Sequence, residues 1–269
     1  MSDQDRQRDW HSCSQHSGSF DIEAAQRDRL RRTIYWATWA REALAPLAQE
    51  YIGRVHFRPS STGVSVVGLS PDGPQLGDRI GKHLTCPRES IEEALARKPG
   101  RTTPEKRLQS LLIASAYRRE RRIEPLSAAA TSAGQSAELI FVTDELFLPM
   151  DGSPGYGKGC DLLGIRRVSP SAFVPAQIEL KSFRDTKELF IELDRYAPLI
   201  NLYANLFEEL FSAVLGQSVR FAGAAERWAV WPAASGEPDR QRTAFAGHGF
   251  RLFTYNERTP GPFEFRPEN

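Results

Sequence analysis

Cysteine is scarce in this chain: Cys13, Cys86 and Cys160 are few, odd in number and irregularly spaced. That excludes a disulfide framework and fits a reducing compartment. Long hydrophobic runs are missing too, since no stretch approaches the roughly 18 consecutive apolar residues of a membrane helix. The opening MSDQDRQRDWHSCSQHS has no apolar core of a secretory leader, so the cytoplasm is the expected location and a membrane is not an expected partner. Nor is there an excess of one charge, because 35 basic and 34 acidic side chains leave a formal net charge of +1. Any nucleic-acid partner must therefore be held by a local basic patch and not by the field of the whole molecule. No internal repeat is visible. What is present is ordinary for a globular protein: 269 residues, 40% hydrophobic and 26% charged, enough to bury a core as one large or two small domains.

Residues 1–20 are polar and rich in Ser, Gln and His, the composition of a mobile tail that cannot offset its ordering entropy. His11, Cys13 and His16 fall there without a fourth ligand at a recognised zinc spacing. From Asp21 to about Glu50 the pattern is helical, with Ile34, Tyr35, Trp39 and Leu44 set among charges that include Arg27, Arg29, Arg31 and Arg32. A solvated face with an aromatic anchor accounts for it; the other readings are a DNA-facing helix, or a homodimer or protein partner bound through this N-terminal region. Tyr51 to Phe57 and Gly63 to Leu69 alternate around Pro59–Gly63 as a β-hairpin would. Residues 70–87 carry Gly and Pro throughout and read as loop, and a helix over 90–97 ends at Lys98-Pro99-Gly100, the clearest break in the chain. The expected organisation is a tail over 1–20, an N-terminal helix and β-hairpin region over 21–100, and a second unit over 101–269.

That second unit is better patterned. Thr102-Thr103-Pro104-Glu105 has capping-box spacing, and Leu108, Leu111, Leu112 and Ala116 recur at helical spacing to about Arg119. A loop follows. Strands are expected over 139–142, 146–148, 160–168 and 176–181, then a helix from Asp185 through Leu210 that Pro198 kinks or splits. Later strands are expected over 219–221, 227–231 and 250–255, with a Pro-rich extended end over 259–269. In Ala176-Gln177-Ile178-Glu179-Leu180-Lys181 the period of two puts Gln177, Glu179 and Lys181 on one face. Asp161 is an acid inside an apolar run, where an ionised group is costly unless paired or metal-bound. If the two strands are antiparallel neighbours, Asp161 lies beside Glu179, and two carboxylates make a hard-cation site suited to magnesium or manganese. Glu105 shares the inward face of its helix and adds a third acid.

This pattern resembles the PD-(D/E)xK nuclease superfamily, whose signature is an acid, a variable spacer and then acid-x-Lys. Asp161, the spacer 162–178 and Glu179-Leu180-Lys181 reproduce it, and Glu105 sits where many members carry a helix-borne glutamate. The order helix, three strands, helix, strand is similar as well. The resemblance covers about residues 102–231 and implies an α/β fold (α+β, mixed sheet): a restriction-endonuclease-like core with an N-terminal helical and β-hairpin extension. It departs from the branch with Gln-x-x-x-Tyr in the next helix, because Tyr196 is preceded at that spacing by Glu192. The activity implied is that of a Mg- or Mn-dependent nuclease, a hydrolase acting on phosphodiester bonds of DNA in defence or repair. Asp161, Glu179 and Glu105 would then be metal ligands, and Lys181 would orient the attacking water or stabilise the transition-state charge. Gln177 would contact phosphate or solvent. Nucleic-acid contacts would come from Arg118, Arg119, Arg121 and Arg122, with Arg166 and Arg184.

Each member also has a plainer reading. Glu105 fits the N3 position of a capping box, Glu179 and Lys181 a same-face ion pair, and Asp161 a turn after Gly155-Tyr156-Gly157-Lys158-Gly159. A fold of this kind can also serve as a non-catalytic nucleic-acid-binding or assembly module.

Overall fold

The computed structural model describes residues 21–81, 86–97, 103–132, 138–150, 157–184, 186–233, 249–257 and 263–267. The expected tail over 1–20, the 98–100 break and the 259–262 segment lie outside the described residues. Asp21 begins the first helix, α1 (Ile22–Ala43), by accepting a hydrogen bond from the Ala24 amide at 3.0 Å. Its buried positions Gln26, Leu30, Thr33, Ala37 and Ala40 recur at helical spacing, so the inward stripe is used within the chain, against the later helix α7 (Ala204–Leu215). The helix does not run to Glu50 without a break: Leu44 leaves helical geometry ahead of Pro46, and α2 (Ala45–Glu50) follows.

A three-stranded antiparallel sheet comes next: β1 (Val55–Ser60), β2 (Gly63–Ser70) and β3 (Gly73–Gly81). Strand β3 replaces the loop expected over 70–87. Gly77 reflects close packing, since a Cβ there would stand 2.4 Å from the Ser90 carbonyl oxygen of α3 (Pro87–Ala96). Helix α4 (Pro104–Tyr117) then packs on β2 and β3 through one side and on the main sheet through the other. The loop expected before residue 139 contains α5 (Glu124–Ser132), a short Ala-rich turn of helix that buries Leu126, Ala129 and Ala130.

The main sheet has six strands in the order β11-β10-β9-β8-β7-β4. They are β4 (Glu138–Asp144), β7 (Leu162–Ser169), β8 (Ala172–Leu180), β9 (Glu226–Pro232), β10 (Arg251–Glu257) and β11 (Phe263–Pro267). Pairings β4 with β7 and β7 with β8 are antiparallel, whereas β8 with β9 and β9 with β10 are parallel. The β8–β9 crossover is made by α6 (Thr186–Leu202) and α7, and α6 runs through Pro198 before the chain breaks at Tyr203. One face of the sheet packs Leu162, Ile178 and Trp228 against α4 and α5, and the other packs Leu163, Ile165 and Val142 against α1, α6 and α7. The strand expected over 146–148 is absent: Glu145 takes a left-handed φ of 44° and only Leu148–Pro149 pair, as β5 with β6 (Gly157–Lys158). Residues 219–221 make no strand either; Phe221 forms a single bridge to Phe173. The fold is mixed α/β, and among the described residues no helix is long and apolar enough to cross a membrane.

Candidate active site

The β7–β8 register pairs Leu162 with Ile178, so the next step of the ladder sets Asp161 opposite Glu179. The two carboxyl groups lie within electrostatic range of each other. Asp161 Oδ2 accepts from the Leu180 amide at 2.8 Å, which ties its carboxylate to the strand that carries Glu179. Alternation along β8 turns Gln177, Glu179 and Lys181 to the α6 face. There Gln177 Nε2 donates to Glu179 Oε1 at 2.9 Å and to the Glu192 carbonyl at 3.2 Å. Lys181 pairs with the Glu192 carboxylate, so the acid at the departing position of the helix motif engages the lysine of the strand motif.

Electrostatics set this cluster apart. Burial pushes Glu179 well above the usual carboxylate range, and the adjacent Asp161 pushes it further. Burial likewise raises Asp161, against the pull of Lys106 and the Leu180 amide. The pair therefore retains a proton that separate, solvated carboxylates would lose. Glu105 is pushed up to about 7, first by burial and then by Asp161. Burial alone would lower Lys181, but Glu192, Glu179 and Asp161 outweigh it and hold the ammonium above its ordinary range. The hard oxygen donors of Asp161 and Glu179 suit a divalent ion. Among the described residues, no three His, Cys, Asp or Glu side chains converge closely enough to hold a metal between them. The arrangement is a pair, with Glu105 in electrostatic range.

Helix α4 brings three residues here. Thr103 is the N-cap, accepting from the Lys106 amide at 3.3 Å. Glu105 therefore stands one position short of N3, and the capping-box reading of Thr102–Glu105 does not hold. Lys106 Nζ lies 2.7 Å from Glu145 Oε1 and 4.0 Å from Asp161 Oδ1. The fully buried Gln109 donates to the Asp161 carbonyl at 3.2 Å and to Asp144 Oδ2 at 3.3 Å.

Behind the pair runs a second charged group. Arg58 on β1 clamps Asp144 through Nε at 2.7 Å and through Nη2, and reaches Glu145 at 2.8 Å. Burial alone would raise Asp144, yet Arg58 and His56 hold it far below the usual carboxylate range. Burial keeps His56 below its ordinary value. It is thus neutral, with Nε2 donating to Asp144 Oδ1 at 2.8 Å and Nδ1 accepting the Tyr117 hydroxyl at 2.7 Å. Lys106, Gln109, His56 and Arg58 belong to no motif in the sequence. The only signal for His56 and Arg58 is their shared parity on β1, two polar residues on the inward face of a buried strand.

The arginines expected at nucleic acid are dispersed. Arg118, Arg119, Arg121 and Arg122 gather at the far end of β4 and β7 from Asp161. Arg166 is held in a fork by Glu226, with Nη2 at 2.7 Å, and Arg184 lies over the Trp231 ring at 4.6 Å while donating to the Pro232 carbonyl. No family model, curated protein or solved structure matches this chain.

Proposed function

We propose that the protein is a metal-dependent nuclease that hydrolyses phosphodiester bonds, with DNA as substrate and magnesium or manganese as cofactor. The observation that carries this reading is the buried Asp161–Glu179 pair with Lys181 two residues beyond it on the same strand face. Support also comes from the order α4, three antiparallel strands, α6 and a parallel strand, the order the resemblance implies for a restriction-endonuclease-like core. Asp161 and Glu179 would hold the ion, with Glu105 completing the acidic rim. Bound there, it supplies charge to polarise the scissile phosphate and to acidify a water. Gln177 fixes the Glu179 carboxylate through its amide. Lys181, on leaving Glu192, places an ammonium where transition-state charge develops.

The Lys181–Glu192 pair also favours a second reading, a non-catalytic nucleic-acid-binding or assembly module, because it occupies the group that catalysis needs. Incubation of purified protein with supercoiled plasmid and with labelled single-stranded and duplex oligonucleotides, in Mg or Mn, separates the two. Cleavage by the native chain and none by Asp161→Asn is the expected result; retarded mobility without cleavage in either metal assigns the binding module.

A further inference from the structure

Outside the Asp161–Glu179 cluster, two cavities meet. One of about 450 Å³ lies between α1, α2, β1 and the turn after α4, with Ala40, Ala48, Ile52, Phe57 and Pro59 among its apolar walls. The other, of about 590 Å³, is polar, and the two share Arg118, Glu120 and Arg121. Five arginines line the second, Arg118, Arg119, Arg121, Arg122 and Arg167, against Glu120, Glu124 and Glu138. Arg122 pairs with Glu124 at 2.9 Å and Arg167 with Glu138 at 3.1 Å. That leaves Arg118, Arg119 and Arg121 facing Glu120 alone.

The positions of these three arginines are set by the backbone and by an aromatic ring. Glu120 and Arg121 are consecutive left-handed residues with φ of 51° and 69°, a conformation that residues with a side chain rarely adopt. The Arg121 guanidinium sits over the Tyr117 ring at 4.2 Å and gives one N–H to the Val142 carbonyl at 3.4 Å. Arg118 gives one to Gly53 at 3.4 Å. Each keeps further donors for the cleft, and Arg119 is exposed, with no carboxylate partner among the described residues.

We infer that this double cleft binds a free nucleoside phosphate, with the base in the apolar cavity and the phosphates on Arg118, Arg119 and Arg121. A slot of this size with apolar walls admits a planar heteroaromatic ring, and guanidinium forks match phosphate oxygens in pairs. A local excess of two positive charges suits a diphosphate or triphosphate; a continuous nucleic-acid backbone would meet three glutamates at the rim. Glu138 and Arg167, which line the polar cavity, pair at the end of β4 and β7 opposite Asp161, about 20 Å from it at the rise of an extended strand. None of Asp161, Glu179, Lys181, Glu105 and Gln177 lines either cavity, so the cleft is separate from the proposed nuclease centre and the inference does not depend on that activity.

Titration calorimetry of the full chain without metal tests this, using ADP, pyrophosphate, ribose 5-phosphate and a twelve-nucleotide single strand as probes. ADP is expected to bind one site per chain at least tenfold more tightly than pyrophosphate or ribose 5-phosphate. Arg119→Ala, an exposed change that leaves the fold alone, should weaken ADP about tenfold. Ala48→Phe should reduce ADP to the affinity of pyrophosphate while leaving pyrophosphate unchanged, and Asp161→Asn should alter neither. Equal affinity for ADP and pyrophosphate, or no saturable binding, overturns the inference. So does loss of ADP binding in Asp161→Asn with retention in Arg119→Ala, and so does an oligonucleotide that displaces ADP at lower concentration than ADP itself.

Discussion

Asp161, Glu179 and Glu105 respond to pH in the opposite sense from Asp144. The folded-state pKa values of the first three lie above their unfolded ones, so the stability linked to their protonated forms is present in mild acid and lost as pH rises toward 7 and above. Asp144 is held low, so its contribution is present above the ordinary carboxylate range and lost as pH falls through and below it. The metal-free protein should thus melt highest near pH 5 to 6 and lower at pH 8, and Mn should raise the melting temperature more at pH 8 than at pH 5.5. Asp161→Asn, which removes one of the facing charges, is expected to raise the metal-free melting temperature at pH 8 by a few degrees and to eliminate the Mn response. Thermal melts across that range check both, and a melting temperature that climbs steadily to pH 8 without metal contradicts the shared-proton pair. Lys181→Ala should behave differently, because an ammonium donates no lone pair to a cation. Mn affinity measured by calorimetry is expected to persist while turnover falls about a hundredfold or more.

At the scale of elements, α4 decides how Glu105 is used. With Thr103 as N-cap, Glu105 has no capping bond to lose, and Glu105→Gln should leave the melting temperature nearly unchanged at pH 6 while cleavage is lost; retained cleavage removes Glu105 from the proposed site. Much of this layout is legible in the sequence. Alternation through β8 puts Gln177, Glu179 and Lys181 on one face, and the acid inside the apolar β7 run marks Asp161. What stays hidden has physical reasons. Strand β3 reads as loop because Gly77 answers to the backbone of α3 and Gly81 to the Thr62 carbonyl, and α5 is too short and too small-sided to show a period. Gln109 is an uncharged residue on an apolar helix face, so nothing in its spacing reveals that it joins Asp144 to the Asp161 carbonyl. Partner choice is a long-range property, which is why Arg166 is spent on Glu226 and not left for a ligand.

For the whole molecule, the junction between the small sheet and the large one is electrostatic at its centre. Asp144 is completely buried and Arg58 nearly so. Arg58→Ala would leave a buried carboxylate with only neutral His56 and Gln109 as donors, at a cost of about 3–5 kcal/mol. A fall in melting temperature of roughly ten degrees is expected, and denaturant titration at pH 7 measures it; a loss under 1 kcal/mol would mean that the clamp is not what joins the sheets. The same clamp spans 86 positions of sequence, and that separation has a consequence for how the chain is born. During synthesis β1 leaves the ribosome with its arginine and histidine unmatched, and at about 5–20 residues per second the strand bearing their partner follows roughly 4 to 17 seconds later. Through that interval the nascent small sheet is an open, cationic surface, and it closes only when residue 144 emerges, so the N-terminal layer must mature in concert with the sheet that comes after it.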